Sequence, residues 1–245
     1  MTTIPDRRPV VLALHGFTLA GAMFNELSDL VDADFVAPDL PGHGGREATG
    51  CNWSEAVDEV IQLIARHRPE VVLGYSMGGR IGVAAALDSA ASFAAVMVSA
   101  GIGIRDETER AQRQRADEDL ARHLEEVGEQ EFMDRWETND QLGGHPEFAA
   151  IRSANTVAGI AGALRGMGQG VQPYYGERIA LMRRPTIWLA GDADPAYVAI
   201  AREAEARTPN ASCMIVPNAR HSVVADAPEA VAAAVAKALS IQRSA

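Results

Sequence analysis

Short apolar runs punctuate this chain at residues 10–14, 34–37, 71–73, 94–98, 186–190 and 212–216. Each one closes on a cluster of Gly, Pro, Asp, Asn or Ser. Continuous apolar runs bounded by turn residues predict strands buried in a sheet. Between the runs the period lengthens. Residues 53–65 place Trp53, Val57, Val60, Ile61 and Ile64 on one helical face. Helices are also expected around 23–30, directly after Arg80, near 198–207 and over 229–239. Strand–helix alternation of this kind predicts an α/β fold, a mostly parallel sheet with helices on both faces.

The rhythm breaks once. Residues 106–130 are densely charged and helical in pattern, and further helical stretches lie at 132–136, 148–151 and 160–164. No strand is expected between 98 and 185. An interval of about eighty residues is far longer than an ordinary crossover. Residues 105–183 are therefore expected to form a helical cap, and residues 1–104 with 184–245 an α/β core.

Composition narrows the function classes. The chain has 245 residues, 47% of them hydrophobic, with 22 basic and 33 acidic residues and a net charge of −11. That balance argues against nucleic acid as a partner. The two cysteines, Cys51 and Cys213, lie far apart and outside every motif, so structural thiols in a reducing compartment are expected. The first nine residues lack the apolar core of a signal peptide, and no run is long enough for a membrane span. A cytoplasmic protein is the expectation. No metal-ligand spacing, internal repeat or low-complexity tract stands out, and no metal or cofactor is expected. Oligomeric state is not encoded in any pattern here.

The chemistry centres on Gly74-Tyr75-Ser76-Met77-Gly78-Gly79-Arg80, where an apolar run gives way at once to a helical pattern. Gly-x-Ser-x-Gly between strand and helix has the layout of a nucleophile elbow. Glycine is needed there because strand and helix pass too closely for side chains. The helix N-terminus also aims free N–H groups at a site of developing negative charge. Asp194 and His221 follow in the order acid, then base, and each lies just past a predicted strand end. Serine alone is a weak nucleophile and a weak base. A histidine in hydrogen-bond reach takes its proton, and a carboxylate orients the histidine and stabilises its cation. Asp192 competes with Asp194, and the Gly-x-x-Asp spacing after the strand favours Asp194. His15-Gly16-Phe17 also follows a strand, so the backbone N–H of Phe17 joins that of Met77 as a candidate oxyanion donor. Arg80 falls one helical turn after Ser76, where it can face a pocket.

Leu14-His15-Gly16-Phe17, Asp39-Leu40-Pro41-Gly42-His43-Gly44 and the elbow resemble the α/β-hydrolase superfamily. Within it, Glu109-Arg110-Ala111-Gln112-Arg113, Phe132-Met133-Asp134-Arg135-Trp136, Ile151-Arg152-Ser153-Ala154-Asn155 and Leu164-Arg165-Gly166-Met167-Gly168-Gln169-Gly170 resemble the 2-succinyl-6-hydroxy-2,4-cyclohexadiene-1-carboxylate (SHCHC) synthases of menaquinone biosynthesis. The resemblance runs through nearly the whole chain. It implies a lyase that eliminates pyruvate from a small polycarboxylate substrate, with Ser76 as base and no acyl-enzyme. It also implies that Arg80, Arg113 and Arg152 hold carboxylates, and that Tyr75 and Trp136 line the pocket; burial in the core is the competing reading for both aromatics. For Arg113 and Arg152 the competing reading is a solvated face. Two departures stand out. Pro195, Ala196 and Tyr197 follow the acid where the family often has lysine and phenylalanine, and Arg220 precedes His221 in place of glycine. Arg220 is a candidate replacement for the missing cation. A carboxylesterase acting through an acyl-enzyme is the second function. A non-catalytic binding protein on the same fold is the third.

Overall fold

A computed structural model describes residues 7–48, 50–139 and 145–243. The expectation drawn from the first nine residues lies mostly outside this range. Six strands, β1 (Val10–Leu14), β2 (Asp34–Val36), β3 (Val71–Tyr75), β4 (Ala94–Val98), β5 (Thr186–Gly191) and β6 (Ala211–Val216), form one sheet in the order β2-β1-β3-β4-β5-β6. Every pairing is parallel. The four inner strands are buried throughout, while β2 and β6 at the edges are partly exposed. That is why the inner runs read as unbroken apolar stretches.

The helices are α1 (Asn25–Asp29), α2 (Trp53–His67), α3 (Met77–Asp88), α4 (Glu107–Val127), α5 (Glu129–Glu137), α6 (Ala149–Arg152), α7 (Val157–Met167), α8 (Pro195–Arg207), α9 (Val223–Asp226) and α10 (Pro228–Arg243). One face of the sheet packs α2, α3 and α8 against Leu12, Leu14, Val72, Met97 and Trp188. The other packs α1, α9 and α10 against Val11, Leu73, Val96 and Leu189. From β1 the chain goes first to β2 on one side and then to β3 on the other. Strand order thus reverses between β1 and β3, where open α/β sheets form a crevice at their carboxyl ends.

All of α4 to α7 lies between β4 and β5. These helices have an apolar cluster of their own, Ala121, Leu124, Phe132, Met133, Ile160, Ala161 and Leu164. Asp106 and Thr156 start α4 and α7 by accepting hydrogen bonds from the backbone N–H three residues on. The sequence pattern missed α9, whose four residues are too few for a helical period. No helix among the described residues is long and apolar enough to cross a membrane.

Candidate active site

Ser76 joins β3 to α3 with φ 48° and ψ −110°, a conformation rarely taken by a residue with a side chain. It is held from both sides. Its N–H donates to Val98 and its carbonyl accepts from Arg80, both at 2.9 Å. The close passage is explicit: a Cβ on Gly78 would lie 2.3 Å from the Leu14 carbonyl oxygen, and one on Gly74 2.5 Å from Gly79 Cα.

Ser76 Oγ lies 2.9 Å from His221 Nε2, and His221 Nδ1 lies 2.9 Å from Asp194 Oδ2. The ionised carboxylate can only accept, so Nδ1 carries the hydrogen and Nε2 is left to accept from Ser76. Asp194 and His221 are both buried. Asp194 also caps α8, its Oδ1 accepting from the Tyr197 N–H at 3.3 Å, with Pro195 in the first turn where a missing N–H costs nothing. Asp192 is engaged elsewhere, accepting from the Asn218 N–H at 2.7 Å. The histidine is fixed further by Ser99, whose hydroxyl donates to the His221 carbonyl at 2.7 Å, and by Tyr197, whose ring meets the imidazole edge-on at 4.4 Å. Ser99 gave no sequence signal beyond ending a strand, because its partner is 122 residues away.

Among the described residues, neither the Phe17 nor the Met77 N–H has a protein acceptor. Both residues border a cavity of about 450 Å³ together with Ser76, Asp194 and His221. Helices α4, α5 and α7 contribute Arg113, Trp136 and Leu164 to its walls.

The arginines divide into different environments. Arg80 lines the cavity, is 6% exposed, and donates to the Met167 carbonyl at 2.9 Å, with longer contacts of 3.4 Å to Gly168 and Gln172. No carboxylate among the described residues pairs with it. Burial draws its guanidinium down to about 10, which still leaves it cationic at neutral pH. Arg113 lines the same cavity, but its Nε donates to Asp117 at 2.8 Å. Arg152 is 2% exposed and borders a small recess with Tyr75 and Thr18, which shares Phe17, Ser76, Trp136 and His221 with the main cavity. There it pairs with Glu137 at 3.1 Å. Tyr75 lines the recess and not the wall formed by Arg80 and Arg113. It is buried, and its hydroxyl donates to Ser222 at 3.2 Å. Trp136 borders both spaces. Arg220 binds Asp226 through its guanidinium at 2.9 Å and its backbone N–H at 2.7 Å. Position 196, where a cation was expected to need replacing, is Ala196 on the cavity wall, and Arg220 is not among the wall residues. Sequence reasoning missed Gln172 and Glu137, the partners of Arg80 and Arg152, because neither stands near its arginine in the chain.

An α/β-hydrolase sheet with Ser, Asp and His converging past its strand ends defines a class, and the comparisons agree. The model of the alpha/beta hydrolase family matches residues 10–234, and the chain belongs to that family. It is similar to the 2-succinyl-6-hydroxy-2,4-cyclohexadiene-1-carboxylate synthase of Escherichia coli (strain K12 / DH10B), with 29% identity over 243 residues covering 94% of each chain. Its fold matches that of MenH from S. aureus at a TM-score of 0.88 and 22% identity, covering 97% of this chain and 96% of that one. It also matches a thermophilic esterase from Thermogutta terrifontis at a TM-score of 0.76 and 21% identity, covering 98% and 96%.

Proposed function

We propose that this protein is a lyase of menaquinone biosynthesis. It eliminates pyruvate from a succinyl-enolpyruvyl-cyclohexene carboxylate to give SHCHC. The observation that carries this reading is Arg80, a buried cation on the cavity wall that has no carboxylate partner among the described residues. Keeping an unpaired charge out of water is costly, and an anionic substrate offsets that cost through charge-assisted bonds. A neutral ester would not. The names of the bacterial relatives point the same way.

Ser76 acts as the base in this reaction. A ring proton next to the succinyl ketone is acidic because the electrons it leaves behind spread into the carbonyl. As that proton moves to Ser76 Oγ, the hydroxyl proton passes to His221 Nε2, and Asp194 stabilises the resulting imidazolium. The Phe17 and Met77 N–H groups face the charge growing on the ketone oxygen. The electron pair then forms the new ring double bond and, through the existing one, expels the enolpyruvyl oxygen as the enolate of pyruvate. The substrate is a small polycarboxylate held by Arg80, with Arg113 and Arg152 as further contacts. Residues 105–183 act as the cap that closes the cavity, and the enzyme works in the cytoplasm, in line with its two free cysteines.

The same triad geometry would activate Ser76 as a nucleophile, which makes a carboxylesterase the second reading. Following pyruvate release from the pathway intermediate, with hydrolysis of a nitrophenyl ester in parallel, separates the two. Efficient pyruvate release with weak esterase activity is expected. Efficient ester hydrolysis without pyruvate release would replace the lyase by the esterase.

A further inference from the structure

We infer that Asn155 is a positioning residue for the oxyanion site, acting on the Phe17 N–H through two intervening peptide groups. The inference rests on the reading of Ser76 and the Phe17 N–H given above. Asn155 follows α6 and is buried. Its Nδ2 donates to the Thr18 carbonyl at 2.7 Å, and its Oδ1 accepts from the Gly44 N–H at 3.0 Å. With both ends of the amide engaged, its orientation is fixed, since a flip would set acceptor against acceptor and donor against donor.

The Thr18 carbonyl belongs to the same peptide group as the Leu19 N–H. That N–H donates to the Gly16 carbonyl at 3.2 Å. The Gly16 carbonyl in turn shares its peptide group with the Phe17 N–H. Donor follows acceptor without a break from the Asn155 amide through two peptides to the N–H of Phe17, a residue on the cavity wall whose N–H has no protein acceptor among the described residues. Each bond in such a chain polarises the next, so a donor at Thr18 strengthens the donor at Phe17. His15 adds a second bond to the same Gly16 oxygen, its Nδ1 lying 2.8 Å away.

Thr18 is where this chain most needs support. Its φ is 66°, in the left-handed region where a β-branched residue is strained. Its own hydroxyl is buried and has no hydrogen-bond partner among the described residues. A strained conformation persists only where its surroundings impose it. The Asn155 bond to the Thr18 carbonyl is the contact that does so from the α6–α7 segment. That segment lies between β4 and β5, so the donor strength of a core amide depends on a residue from the helical region above the sheet.

The test is Asn155→Asp, which keeps the shape and the acceptor for Gly44 but loses the donor to Thr18. Asn155→Ser is made alongside it, in case a buried carboxylate prevents folding. Turnover is followed on the pathway intermediate, or on nitrophenyl acetate should the wild type release no pyruvate, because both reactions build negative charge at the same place. With melting temperature preserved, kcat should fall about 10- to 100-fold while KM stays within about threefold, the pattern of an interaction gained only in the transition state. An unchanged kcat in a folded variant, or a loss carried by KM, overturns the proposal. Ser76→Ala is run in the same assay. If it is inactive while the Asn155 variants match wild type, only the positioning role fails. If it stays active, the Ser76 reading fails first and this inference falls with it.

Discussion

The Nδ1–H of His221 donates to Asp194 Oδ2 at 2.9 Å, whereas Asp192, two residues earlier, caps the backbone N–H of Asn218 at 2.7 Å. Only one of the two carboxylates can therefore orient the imidazole. Ser76→Ala, Asp194→Asn and His221→Ala should each reduce turnover by roughly a thousandfold or more, and combining them should add little. Asp192→Asn should stay within about twofold of wild type, because its hydrogen bond serves a loop and not the base. Steady-state kinetics on the four variants checks this, and a large loss in Asp192→Asn would mean the acid is misassigned.

Arg80 should matter for anionic substrates alone. Each charge-assisted contact contributes about 1.5–3 kcal/mol, so Arg80→Ala should cost roughly 10- to 150-fold in kcat/KM on the pathway intermediate. Lysine should recover only part of it, lacking the planar fork. Arg80→Met should keep or raise the melting temperature, since it removes a buried cation that has no carboxylate partner among the described residues. Arg113→Ala should cost less, because Asp117 already neutralises that side chain and it is about half-exposed. Equal losses on a neutral nitrophenyl ester would identify the arginines as structural.

Much of this was legible in the sequence, and for definable reasons. The run Ala94–Val98 reads as a strand because all five positions are buried between two helical layers. The elbow is legible because backbone contact at Gly74 and Gly78 excludes side chains, and a steric demand leaves a fixed residue type. Ser76, Asp194 and His221 follow strand ends, and a parallel sheet brings such ends to one edge. The pairing of side chains across the fold left no such mark. Nothing near Arg152 signals Glu137, and nothing near His221 signals Ser99. The pairing of Arg220 with Asp226 depends on α9, whose single turn carries no period.

Stability should fall in mild acid because of His15 and His43. Burial lowers them from 6.5 to about 4 and about 3, respectively. Neutral His15 is needed as built, since its Nε2 accepts from the Leu40 N–H at 2.8 Å. The folded-state values lie below the unfolded ones, so the unfolded chain takes up these protons first as pH drops. The stability these two histidines contribute is constant above about pH 6.5 and is lost progressively below it, down to about 4 for His15 and about 3 for His43. Each histidine contributes at most about 1.4 kcal/mol per pH unit in that window, so urea unfolding at pH 7 and pH 5 should differ by about 2–4 kcal/mol. A flat profile across the window would show that neither histidine is held neutral.

Gly78→Ala probes the closeness of β1 and α3. The added methyl would lie 2.3 Å from the Leu14 carbonyl oxygen, and its nearest neighbours are all backbone atoms of Leu14 and His15, which no side-chain rotation can move aside. A loss of about 2 kcal/mol or more is expected from chemical unfolding, with the damage felt first at Ser76. A wild-type unfolding midpoint would show that strand and helix can separate freely.

The central claim is that Ser76 removes a proton and forms no covalent bond. It is tested most directly by rapid quenching of the enzyme during turnover of the succinyl-enolpyruvyl-cyclohexene carboxylate, with the intact protein mass measured and pyruvate counted in the same samples. Elimination by base predicts one pyruvate per SHCHC formed and an unmodified protein mass at every time point. A mass increase that maps to Ser76, or product formed without pyruvate, would contradict it.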